Sequence, residues 1–176
     1  MSILRVMVVF GLLLASGVMQ PPVSRAEEPP ATGKPFTITV SKPDGWTFIV
    51  DQQMLLHGMG FRSLTSTSHP SLKVIVAAYP ADGVTVNQRA MDIKQLCAAD
   101  GLQPVEFEEA ADGRTIATGF ASGKLKDGLR HSARYGVRSP KGRPDLLLII
   151  TATWTGNLPP PILEQLDLLI LTATVK

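Results

Sequence analysis

The chain has 176 residues, 44% of them hydrophobic, with 17 Lys and Arg against 15 Asp and Glu. That is enough for one domain with a real core. Its single cysteine, Cys97, excludes an intrachain disulfide and any multi-cysteine zinc or iron–sulfur site.

The first stretch reads as an address rather than as fold. Arg5 opens an apolar run from Val6 to Ala15, and Ser24-Arg25-Ala26 ends in the small residues a signal peptidase takes. The run is shorter than the roughly 20 residues of a spanning helix, and no cysteine follows it to make a lipoprotein site. We therefore expect a signal peptide over 1–26, a periplasmic or secreted mature chain, and no permanent membrane span after cleavage. Cleavage removes Arg5 and Arg25 and no acid, which leaves the mature chain formally neutral. A neutral domain gives no argument for nucleic acid. Residues 27–35 form a proline-rich tether, and 36–176 a single domain.

From Phe36 the text turns to short strands. Phe36, Ile38 and Val40 alternate with threonines, Pro43-Asp44-Gly45 marks a turn, and Trp46, Phe48 and Val50 alternate again. Met54–Gly60 is ambiguous. Phe61–Thr67 and Leu72–Tyr79 flank a turn at Ser68–Ser71. Thr85 and Gln88 have capping-box spacing. Val86, Ala90, Ile93 and Cys97 then share a helical face, and Gly101 stands where a left-handed cap belongs. Cys97 thus reads as packing, not as a reactive thiol.

Hairpins follow. Taking Asp112-Gly113 and Asp127-Gly128 as two-residue loops pairs Phe120 with Tyr135 and Val105 with Phe120. The core side is then Val105, Phe107, Ile116, Phe120, Tyr135 and Val137. The other side carries Arg130, Arg134 and Arg138 over Gly119, Ala121 and Gly123, with Glu106 and Glu108 beyond and no aromatic residue. An apolar strand over Leu146–Trp154 comes next. A closing helix follows Pro159–Pro161, with Ile162, Leu163, Leu166, Leu169 and Ile170 as its apolar face. The whole predicts an α+β fold, a mostly antiparallel sheet with helices packed on it.

Lys42-Pro43-Asp44-Gly45-Trp46 after the first strand, the element order, and the terminal Ile162–Leu169 helix resemble the PsbP-like and DcrB-like group of small exported domains. The resemblance spans about Phe36 to Val175. It implies a central antiparallel sheet flanked by helices, and an accessory or assembly role without shared catalytic residues.

No motif carries catalysis, a cofactor or a metal. His57, His69 and His131 lack the spacing of a zinc protease, and no Gly-x-Ser-x-Gly elbow is present. The one chemical feature is the arginine row. Between Arg114 and Arg143 stands a single acid, Asp127. Arg130, Arg134 and Arg138 over small residues would leave room for a carboxylate or phosphate. The competing reading pairs them with Glu106 and Glu108. Three functions follow in order: a non-catalytic periplasmic accessory protein that works with another envelope protein, a receptor for a small anion, and a hydrolase using His57 or His131.

Overall fold

The computed structural model describes residues 36–50, 59–111 and 115–176. His57, most of Met54–Gly60, and the Asp112-Gly113 turn lie outside the described residues. Chain order is β1 (Ile38–Thr39), β2 (Trp46–Val50), β3 (Gly60–Ser66), β4 (Lys73–Pro80), α1 (Val86–Ala99), β5 (Gln103–Glu108), β6 (Ile116–Lys124), β7 (Arg130–Arg138), β8 (Leu146–Thr155), α2 (Pro160–Thr172) and β9 (Thr174–Val175). Among the described residues β2-β3-β4-β8-β7-β6-β5 form one antiparallel sheet, and β1 pairs with β9 in a separate ribbon. The expected α+β fold is the observed one.

Helix α1 starts and stops where its sequence says. Thr85 Oγ1 accepts the Gln88 N–H at 3.2 Å. The Gln88 side chain turns instead to Asp92 Oδ1 at 3.1 Å, so only half the capping box is made. At the far end Gly101 takes φ +88°. Its N–H donates to Ala98 O at 3.0 Å and that of Leu102 to Cys97 O at 2.9 Å, the double closure of a glycine cap. Thr85→Ala should cost about 1 kcal/mol in urea melts and Thr85→Ser much less. Equal losses would show that the hydroxyl does not cap.

The two helices lie on opposite faces of the sheet. α1 buries Ala90, Ile93 and Cys97, and packs over β5–β7. α2 buries Leu166, Leu169 and Ile170. They join Trp46, Leu64, Val76, Leu148, Ile150 and Trp154 in the main core. Even-numbered residues of β7 and β8 therefore face α2, and odd-numbered ones face α1.

The hairpin register differs from the expected one by a residue. Leu125 and Leu129 close the β6–β7 turn (Leu125 N–H to Leu129 O, 3.1 Å), so Lys126, Asp127 and Gly128 form a three-residue loop. Gly128 holds φ +77° at its last position, as such loops require. Phe120 consequently pairs with Arg134 and Tyr135 with Gly119. On β5 the ladder shifts between Pro104 and Glu106, and Val105 at that bulge is 58% exposed. The six residues expected on one core side thus divide. Ile116 and Phe120 pack toward α2, Tyr135, Val137 and Phe107, under Lys94 of α1, lie on the α1 side, and Val105 leaves the core. A slip of one residue exchanges the faces of a whole strand.

Candidate functional site

The slip moves the arginine row onto the α2 side, where it lies beside Ile116, Phe120, Ser122 and Lys124 instead of over glycines and alanines. Each arginine there has a partner of its own. Arg130 Nε donates to Ser122 Oγ at 3.1 Å. Arg134, half-buried, bridges two carboxylates: its Nε meets Asp167 Oδ1 of α2, and its Nη1 lies 3.8 Å from Glu106 Oε2 of β5. Arg138 Nη1 donates to Leu171 O at 2.7 Å, at the carboxyl end of α2. A guanidinium at that end meets an orphan carbonyl and the negative pole of the helix. Burial pulls the Arg138 pKa down. For Asp167, burial is the largest influence and lifts the carboxyl; Arg134 opposes it, and Glu106 adds to it.

Asp167 was the partner missed from sequence, though it left a signal. It stands four residues after Leu163 and three before Ile170, an acid interrupting the apolar face of a helix. Glu106 is the pairing expected across the sheet. The expectation of an aromatic-free face fails, because Phe120 and Trp154 stack there with centroids 6.0 Å apart and planes 8° from parallel. The case against single-stranded nucleic acid therefore rests on charge alone.

His131 and His69 make their contacts away from the arginine row. His131 sits opposite Gly123, and its Nε2 meets Asp127 Oδ2 at 2.7 Å inside the hairpin turn. The Leu129 N–H and then His131 hold the Asp127 carboxyl below its ordinary pKa. His69 Nδ1 lies 2.9 Å from Ser68 Oγ in the β3–β4 turn. His57 lies outside the described residues. No group of three or more metal-ligating side chains occurs among the described residues.

Cys97 is buried. Burial first, and Asp100 second, push its thiol up to about 11. The native protein should therefore resist alkylation at pH 8 and react within minutes of unfolding in guanidinium, read by mass spectrometry. Prompt native labelling would place the thiol at the surface. Two other buried hydroxyls, Ser63 Oγ and Thr151 Oγ1, have no hydrogen-bond partner among the described residues, and they flank Ile75 in one row of the α1 side.

The chain shares its fold with LpqN of Mycobacterium tuberculosis. The LpqN crystal structure, of a protein involved in cell envelope biogenesis, matches with a TM-score of 0.50 and 12% identity, over 82% of this chain and 87% of LpqN. No protein-family model matches the sequence, and no curated protein does. At that identity the likeness with LpqN is one of fold.

Proposed function

We propose that this chain is a non-catalytic accessory protein of the cell envelope, exported through a signal peptide over 1–26 and working as a domain over 36–176. The observation that carries the reading is the fold held in common with LpqN, an envelope biogenesis protein. The PsbP-like and DcrB-like resemblance of Lys42–Trp46 and the terminal helix points the same way, toward assembly rather than turnover. The site chemistry is consistent with it. Arg134 is engaged by Asp167 and Glu106, which makes it a clamp between α2 and the sheet.

Two measurements test the reading. Intact mass and amino-terminal sequencing of the exported chain should give Glu27 as the first residue. Deletion of the gene in its own host should weaken the envelope against detergent, with the wild-type chain restoring it. A chain retained in the cytoplasm, or a deletion without envelope consequence, would sink the proposal.

A second reading, a receptor for a small anion at Arg130, Arg134 and Arg138, is favoured by one observation. The hydrogen bonds of Arg130 and Arg138 go to a hydroxyl and a carbonyl, which leaves both positive charges unneutralised by those contacts. Phosphate or a dicarboxylate at about one hundred times its dissociation constant should then add roughly 2.7 kcal/mol to stability. The gain should vanish in Arg130→Gln. A flat thermal-shift series across anions would end this reading.

A further inference from the structure

We propose that Lys124 and Arg130, opposed across the β6–β7 ladder, form the seat of a phosphate monoester held as its dianion. The inference rests on the anion-receptor reading and narrows it to one end of the arginine row. The register puts Lys124 directly opposite Arg130, so the two side chains rise from one face as near neighbours. Both are exposed. Like charges so placed repel and weaken the pairing of their strands. Among the described residues no carboxylate relieves them: Arg130 gives its hydrogen bond to Ser122, and the ion pairs of the row belong to Arg134. Asp127, in the turn between them, meets the Leu129 N–H at 2.9 Å and His131 at 2.7 Å. Lys126, exposed in the same turn, adds a third cation.

The arrangement of donors selects the anion. Ser122 and Ser132 are buried, and their hydroxyl oxygens lie 3.0 Å apart. From that pair Ser122 Oγ accepts the Arg130 Nε–H at 3.1 Å, which orients the guanidinium. Its two Nη groups are left to take two oxygens end-on, with the Lys124 ammonium for a third. A phosphate monoester offers three such oxygens and close to two negative charges at about pH 7. A carboxylate or a phosphodiester has two free oxygens and one charge, so it would fill the fork and leave Lys124 unmatched. Arg134 is held by Asp167 and Glu106. Arg138 is held by the Leu171 carbonyl at the other end of β7. Neither joins the seat.

The test is a titration of the full chain, followed by its backbone amide resonances, with methyl phosphate, dimethyl phosphate and acetate as probes. Methyl phosphate should move the amides between Ser122 and Arg130 saturably. Its affinity should exceed that of the other two on the order of tenfold, the factor one charge-assisted hydrogen bond carries. Lys124→Gln should erase that preference while leaving the weaker probes unchanged, and Arg130→Gln should abolish binding of all three. Lys141→Gln, which removes the same charge from an exposed loop, should change nothing. Without ligand, Lys124→Gln should leave the urea midpoint unchanged or raise it, because it ends the repulsion. Methyl phosphate bound no better than dimethyl phosphate would overturn the assignment. Binding that is lost in Arg130→Gln but indifferent to Lys124→Gln would also overturn it, and would leave the receptor reading standing. No binding of any probe would end both. The envelope role is decided separately, by the deletion phenotype.

Discussion

Gly119→Ala should destabilise the domain by about 3 kcal/mol, the upper end for an overpacked core. Gly119 faces Tyr135 across the β6–β7 ladder. A Cβ built on it would lie inside the Tyr135 ring, 2.7 Å from Cε2 and closer still to Cζ and Oη. The ring has nowhere near to go, because Tyr135 is 1% exposed beneath α1. Burial pushes its phenol pKa upward, so the hydroxyl offers no charged escape at ordinary pH. Either the ring leaves or the strands part. A Tyr135→Leu background vacates the space, and there the same alanine should cost less than about 1 kcal/mol. The coupling between the two changes, read from urea midpoints, is the diagnostic quantity. Additive losses would mean that the ring does not lie across Gly119.

Trp46→Ala should cost about 3–5 kcal/mol, a large part of the stability of an ordinary domain. Trp46 is 1% exposed, and its Nε1 donates to Gln165 Oε1 of α2 at 2.8 Å. The turn before it explains why it points inward. Gly45 takes φ +74°, and its carbonyl receives the Thr67 N–H at 2.9 Å. That fixes β2 against β3 with the indole on the α2 side. Trp46→Phe keeps most of the apolar burial and loses the hydrogen bond, so about 1 kcal/mol is expected. If the alanine and phenylalanine variants melted alike, the indole would be held by its hydrogen bond and not by packing.

Local signals were legible wherever one residue dictates one geometry. Thr85 and Gly101 bound α1 at its two ends, and the Pro159–Pro161 run begins α2. Gly45 announces the turn into Trp46. The hairpin register was not legible from Asp127-Gly128, because the pair fits either a two-residue loop or the last two places of a three-residue one. Alternation usually settles that choice. In β7 it does not, since Ser132, Ala133, Tyr135, Gly136 and Val137 are all buried, between α1 on one face and α2 on the other. A strand covered on both sides loses its period of two. The candidate site followed the register. Its arginines were named from sequence, but Asp167, which faces Arg134 from a helix far along the chain, was not.

The β1–β9 ribbon joins Ile38 to Val175, and Thr37 exchanges hydrogen bonds with Lys176 at 2.7 and 2.9 Å. Closing so long a loop adds little entropy, because the cost grows only with the logarithm of length. Its effect is on the order of assembly. Phe36, Ile38 and Val40 belong to the same core as Val175, so that core closes only when segments far apart in the chain have met. The same adjacency makes circular permutation natural: a short bridge from Lys176 to Phe36, with new ends in the exposed Lys141-Gly142 turn, would convert this long-range pairing into a local one.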